Sequence, residues 1–313
     1  MSRPVLRPTL LILLGAALLF VLAACISPTP AASPAQVEAA SEAAAAAVAE
    51  GGGEVVADVA AAAFPLALTA WNLDSFGSAE AGSPLVPNTR ASLLFFLDRY
   101  AGYDGCNWFL GVYNTTPAGG IRMFTPSSTR ELCAPAERSD QAATYRLALV
   151  NVTNFEREGD QLRAFTVDNQ QLLSFTAAEV VPAVGSEWEL KFTWFADREQ
   201  WAPVALGSRS TILFGEGGEA SGSGGCSTFT APYSGQLQSD MVEASVDGPS
   251  ELPAISVGPL TIEAATCTEP NGIMEQESEF FTGLEAAAYY LRVGGVLIIV
   301  DENEAPLLLL SRD

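Results

Sequence analysis

Five cysteines are the residues of this 313-residue chain best placed to do chemistry, and their surroundings sort them into one and four. Residues 105–113 run Gly105-Cys106-Asn107-Trp108-Phe109-Leu110-Gly111-Val112-Tyr113, and residues 225–233 run Gly225-Cys226-Ser227-Thr228-Phe229-Thr230-Ala231-Pro232-Tyr233. The Gly-Cys-x-x-Phe-x-x-x-Tyr spacing recurs 120 positions on, and a further cysteine follows each copy, Cys133 and Cys267. A duplicated domain is the natural inference. Four thiols allow three disulfide connectivities. Duplication favours Cys106 with Cys133 and Cys226 with Cys267, because each repeat must fold as a unit and cross-pairing would need two cores to satisfy bond geometry at two places. The alternative is four buried free thiols acting as small core residues.

The remaining inventory argues against most enzymes. The chain has no histidine, which excludes Ser-His-Asp and Cys-His arrangements and zinc sites with imidazole ligands. Lys191, the one lysine, lies in Glu189-Leu190-Lys191-Phe192-Thr193-Trp194 and reads as a solvent-facing strand residue rather than the base of a Ser-Lys pair. The glycine-rich stretch Gly215–Gly225 lacks the Gly-Lys-Ser/Thr ending of a phosphate-binding loop and reads as a hairpin connection. Glu269, Glu275, Glu277 and Glu279 offer oxygen ligands, and Asp301-Glu302-Asn303-Glu304 starts like a calcium loop. It lacks the glycine at the sixth position and the closing glutamate, so a solvated helix face and a turn are expected, with no metal and no cofactor. Among 37 acidic residues no spacing singles out a glycosidase pair.

The fifth cysteine belongs to the N-terminus. Arg3 and Arg7 precede an apolar run from Leu10 to Val21, and Leu22-Ala23-Ala24-Cys25 follows. The run is shorter than the roughly 20 residues that span a bilayer, so it reads as a secretory signal over residues 1–24. Its end resembles the lipobox of bacterial lipoproteins, which implies acylation of Cys25 and a protein exported and anchored to the outer face of a bacterial membrane, in the cell envelope. Residues 25–64 are rich in Ala, Ser, Pro and Gly and read as a tether. Without Arg3 and Arg7 the chain holds 13 basic against 37 acidic residues, a net charge of −24. Nucleic acid is therefore not an expected partner. The membrane would be reached through the acyl anchor, and an envelope protein or ligand is left as the unidentified partner.

Beyond the tether, residues 65–178 and 183–313 form two domains. Trp71-Asn72-Leu73 matches Trp188-Glu189-Leu190, and after the second cysteine an offset of 135 aligns Phe155, Gly159, Leu162, Leu172 and Leu173 with Tyr290, Gly294, Leu297, Leu307 and Leu308. The change of offset places an insertion near Ser239–Pro253, read as a surface loop. Short β-branched and aromatic runs at 93–97, 211–214, 255–262 and 296–300 read as strands. Hairpins turn at Asp168-Asn169 and at Asp301–Glu304. One helical stretch per copy precedes them, with Tyr145 and Leu149 inward in the first and Met274, Phe281, Leu284 and Ala288 inward in the second, Gln276 lying elsewhere. The fold class is α+β and strand-dominated, two tandem small curled-sheet or barrel-like domains each with one helix.

These residues resemble the META domain, also called HslJ-like. The first copy carries Trp71, Gly105, Cys106, Asn107, Phe109, Gly111, Tyr113, Thr129 and Cys133, with Ala136-Glu137 where the family has Met-Glu. The second carries Trp188, Gly225, Cys226, Phe229, Tyr233, Cys267, Met274 and Glu275, with Ser227 for Asn and Ala231 for Gly. The resemblance implies a strand-dominated α+β fold and a bacterial envelope location, and no established catalytic site. A non-enzymatic envelope lipoprotein with tandem modules for binding or stress tolerance is the expectation. A carboxylate-based hydrolase of envelope polysaccharide and a small-ligand carrier are the alternatives.

Overall fold

The computed structural model describes residues 66–312 apart from 79, 97, 117, 118, 125, 196, 236 and 238–251. The signal, Cys25, the tether and most of the Ser239–Pro253 loop lie outside the described residues.

The first copy opens with β1 (Thr69–Phe76), a short β2 (Ser83–Pro84), β3 (Ser92–Phe96), β4 (Arg99–Tyr103), β5 (Trp108–Thr115), β6 (Ile121–Met123) and a short β7 (Ser127–Ser128). Helix α1 (Ala136–Val150) follows, then β8 (Asn154–Glu158), β9 (Gln161–Phe165) and β10 (Gln171–Ala177). The second copy repeats the order: β11 (Glu187–Phe195), β12 (Gln200–Pro203), β13 (Thr211–Phe214), β14 (Glu219–Ser223), β15 (Thr228–Gly235), β16 (Ile255–Val257), β17 (Thr261–Glu263), α2 (Ile273–Glu285), β18 (Tyr289–Val293), β19 (Val296–Val300) and β20 (Pro306–Ser311). The first sheet runs β6-β5-β4-β3-β1-β10-β9-β8 and the second β16-β15-β14-β13-β11-β20-β19-β18, so the two topologies are the same. Every pairing between these strands is antiparallel.

Each sheet curls until its edges almost meet. Thr153 accepts the Ile121 N–H at 2.9 Å through its carbonyl and donates its own N–H to Phe165 at 2.8 Å; Ala288 does the same between Ile255 and Val300 at 2.9 and 3.0 Å. Such near-closure leaves few unpaired edge groups. The helix covers the interior. Tyr145 stacks edge-on against Phe109 at 5.7 Å, and Phe280 meets Phe229 at 6.2 Å. Around them Trp71, Phe95, Leu162 and Phe175 fill the first core, and Trp188, Phe214, Leu297 and Leu310 the second.

A third apolar cluster belongs to neither interior. Leu94, Phe96, Ala101, Trp108 and Leu110, on the outer face of the first sheet, pack against Phe192, Trp201, Leu291, Val293, Val296, Ile298, Val300 and Leu309 of the second. The Arg99 guanidinium lies over the Trp194 ring at 5.6 Å across the same contact.

Three expectations need correction. The run from Ile255 to Ile262 is two strands, because Gly258 turns the chain at φ +116° and Pro259 has no N–H to give a ladder. Part of the glycine-rich stretch is strand β14, where Gly222 comes so near the backbone that a Cβ would stand 2.0 Å from the Thr211 carbonyl oxygen. Finally, the inward face of α2 is Ile273, Gln276, Glu277, Phe280, Phe281 and Leu284, while Met274 is 39% exposed and Ala288 follows the helix.

Candidate functional site

The repeated glycine begins a tight turn. Gly105 and Gly225 adopt φ +98° and +110°, a region open to glycine, and aim the next backbone N–H groups inward. In the first copy those of Cys106 and Asn107 donate to Asp104 Oδ1 at 3.0 and 2.7 Å. Asp104 is fully buried, and its other oxygen accepts from Arg146 Nη1 of α1 at 2.8 Å. Burial pushes the Asp104 carboxyl up from its ordinary value, against the downward pull of the Asn107 N–H, Arg146 and the Cys106 N–H. Asn107 ties the turn to the segment carrying the second cysteine. Its Oδ1 accepts from Thr129 Oγ1 at 3.0 Å and from the Glu131 N–H at 2.7 Å. Cys106 and Cys133 are joined there, with Cα atoms 5.6 Å apart.

The second copy reaches the same arrangement with other residues. Here Glu277, on α2, accepts the Cys226 and Ser227 N–H groups at Oε2, at 3.0 and 2.6 Å, and the Ser227 hydroxyl at Oε1, at 2.7 Å. Ser227 Oγ in turn accepts the Ala265 N–H at 3.0 Å, as Asn107 Oδ1 accepts that of Glu131. Gln141 and Gln276 hold matching loops, accepting at Oε1 from the Val86 and Ala205 N–H groups at 2.6 and 2.7 Å. Cys226 joins Cys267 across a Cα distance of 5.9 Å. The other departure from the motif has a partner too. Gly111 faces Tyr100 across β4 and β5, and a Cβ on it would stand 2.5 Å from that ring; the paired positions in the second copy are Ala231 and Ala220.

Most motif residues therefore hold the domain together. Trp71, Trp188, Phe109 and Phe229 are core residues, and the Tyr233 hydroxyl donates to the Gly215 carbonyl at 2.6 Å. Tyr113 lies in the first core, its hydroxyl pushed up to about 12 by burial and by Asp98. Glu275 is exposed and pairs with Arg198 at 3.3 Å. Asp301 Oδ1 accepts the N–H groups of Asn303 and Ala305, which makes its segment a turn. Among the described residues no group of three or more Cys, Asp or Glu stands placed to hold a metal ion.

A concave surface lies between the copies, where the first copy's motif turn faces the second copy's first strand. A cavity of about 430 Å³ is lined by Asn72, Arg90, Tyr103, Trp108, Glu179 and Arg312, among others. An adjoining one of about 390 Å³ shares Arg90, Tyr103 and Trp108 and adds Cys106, Thr129, Glu131, Glu189 and Lys191. Lys191 is thus not a solvent-facing strand lysine. It is 6% exposed because the first copy covers its strand, and it donates to Glu189 Oε1 at 2.7 Å. Sequence reading missed Arg90, Tyr103, Glu179 and Arg312, since each belongs to the site only once two domains meet. The second copy's turn, at Cys226, does not line these cavities.

The META domain family matches residues 65–179 and 183–313. No curated protein matches the chain. Among solved structures, an NMR structure of a protein from Burkholderia xenovorans is 22% identical, with a TM-score of 0.31 over 36% of this chain and 83% of its own. A second NMR structure is 20% identical, with a TM-score of 0.28 over 34% and 87%. The crystal structure of a duf4847 family protein from Bacteroides vulgatus is 13% identical, with a TM-score of 0.26 over 36% and 93%.

Proposed function

This chain belongs to the META domain family with two copies in tandem, and we propose that it is a non-enzymatic binding protein of the bacterial cell envelope, anchored by acyl chains on Cys25, in which both copies build one ligand site. The observation that carries this reading is the pair of cavities between the copies, whose walls neither copy completes alone. The anchor rests on the residues before Cys25, and disulfide pairing in each copy suits an oxidising compartment. Asp104 and Glu277, the buried carboxylates among the described residues, each bind backbone N–H groups of a turn in a different copy rather than forming a hydrolytic pair.

Two measurements test the proposal. Replacing Cys25 with Ser should release the protein into the medium or leave it unprocessed; unchanged, detergent-requiring membrane association would count against the anchor. A screen of glycosidase and esterase substrates should show no turnover. Turnover abolished by replacing one carboxylate would overturn the binding reading.

A further inference from the structure

We infer that the Cys106–Cys133 bridge is a thiol-exchange site, opened and reclosed by small-molecule thiols, while Cys226–Cys267 is a fixed staple. Both bridges start from a glycine turn whose N–H groups bind a buried carboxylate, Asp104 in one copy and Glu277 in the other. They differ in the side chain that follows the first cysteine. Asn107 is 7% exposed, and its amide has one orientation, because Oδ1 accepts the Glu131 N–H at 2.7 Å and the Thr129 hydroxyl at 3.0 Å. Nδ2 is thereby turned onto the bridge, 3.2 Å from Cys106 Sγ and 3.5 Å from Cys133 Sγ. In the second copy Ser227 has a single hydroxyl hydrogen, and it goes to Glu277 Oε1 at 2.7 Å.

A bridged sulfur is a weak acceptor, whereas a thiolate is a charged and stronger one. An N–H held against both sulfurs therefore favours the reduced, ionised pair and makes either cysteine a better leaving group. Access differs as well. Cys106 lines the cavity of about 390 Å³, which is of small-molecule size, while the second copy's turn lines neither cavity between the copies. In the exchange an incoming thiolate attacks Cys106 Sγ, the bond to Cys133 breaks, and Cys133 leaves as a thiolate against Asn107 Nδ2. A second thiolate attacks the outer sulfur of the mixed disulfide, freeing Cys106 as a thiolate and an external disulfide. The two thiols supply both electrons, and their protons pass to solvent. Loop length does not set the bridges far apart: closing 27 against 41 residues separates them by only about twofold in the chain-entropy model.

The experiment equilibrates the full chain in detergent with buffers of reduced and oxidised glutathione, quenches with an alkylating reagent and reads each cysteine by mass spectrometry. Cys106–Cys133 should be half reduced at a potential about 30 mV or more above that of Cys226–Cys267, on the order of tenfold in the exchange constant. Asn107→Asp keeps the acceptor at Oδ1 and puts an oxygen where the donor was. It should make the first bridge harder to reduce and close most of the gap, with the melting temperature of the oxidised protein reporting that it folds. A merely structural role for Asn107 predicts the opposite sign, since a loosened turn gives up its bridge more easily. Equal potentials in the unaltered protein, or earlier opening of Cys226–Cys267, would overturn the proposal whether or not the variant folds. An unchanged or more easily reduced first bridge in folded Asn107→Asp would overturn it too.

Discussion

At the scale of single residues, the two copies place one carboxylate oxygen in the same spot from opposite directions. Asp104 reaches it from the turn, with Ala142 on the facing helix; in the second copy Gly224 takes the turn position and Glu277 the helix position. The exchange is steric as well as electrostatic, because a Cβ on Gly224 would stand 2.5 Å from Glu277 Cγ. Asp104→Gly should therefore destabilise the protein by about 1–3 kcal/mol, by orphaning the inward N–H groups of Cys106 and Asn107. Adding Ala142→Glu should recover part of that loss, a coupling of about 0.5–3 kcal/mol in a double-mutant cycle read by urea denaturation. Strict additivity would show that the two solutions are not interchangeable. A pH dependence follows from the same group. With its folded carboxyl raised, Asp104 contributes stability below the ordinary carboxylate pKa, and this is lost as pH rises through the folded value. Asp104→Asn should thus cost more near pH 3 than at pH 7, and melting curves of both proteins at the two pH values check the sign. None of this was legible from the motif alone. Ser227 and Ala231 look like departures in an alignment, and only strand and helix pairing reveals Ala220 and Glu277 as their compensations.

Single elements were easier to read where one periodicity ruled. The hairpin β9–β10 turns after the alternating Gln161-Leu162-Arg163-Ala164-Phe165, and both its strands lie where that alternation puts them. Helix α2 was misread because two polar residues, Gln276 and Glu277, sit on its buried face, where they bind loop and turn N–H groups rather than water. Hydrophobic patterning has no signal for a polar residue whose partner is backbone elsewhere in the chain. The cysteines were legible because duplication fixes which partners share a unit. Peptide mapping of the unreduced protein should give Cys106–Cys133 and Cys226–Cys267; a cross-linked Cys106–Cys226 peptide would contradict it. Removing the second bridge, which closes 41 residues, should cost on the order of 3–4 kcal/mol in the chain-entropy model, measured by denaturant unfolding of a Cys226→Ser, Cys267→Ser variant.

The whole molecule turns on a contact that duplication alone would make open-ended. Two like domains joined head to tail each carry both halves of the contact, and a heterologous contact of that kind continues into a filament unless the free faces differ. Here they do. The second copy docks with Leu291, Val293, Val296 and Ile298, whose counterparts on the first copy are Glu156, Glu158, Gln161 and Arg163. The first docks with Ala101, Tyr103, Trp108 and Leu110, against Ser221, Ser223, Thr228 and Thr230 in the second. A trace of this was present in the sequence. Val296–Val300 is apolar at every position, and all five residues are buried, whereas β9 alternates; an unbroken apolar run marks a strand covered on both faces. What covers it could not be read, because the partner is a sheet face assembled from three other strands. Ile298→Arg would install the residue that the first copy carries at that place. The charge would be buried without a partner, at a cost of about 3–5 kcal/mol borne by the contact rather than by either core. The copies should then separate before they unfold, seen as a red shift of tryptophan emission with far-ultraviolet circular dichroism unchanged, since Trp108 and Trp201 both lie in the contact. A variant that keeps its emission spectrum and a single unfolding transition would show that the two copies do not depend on this face.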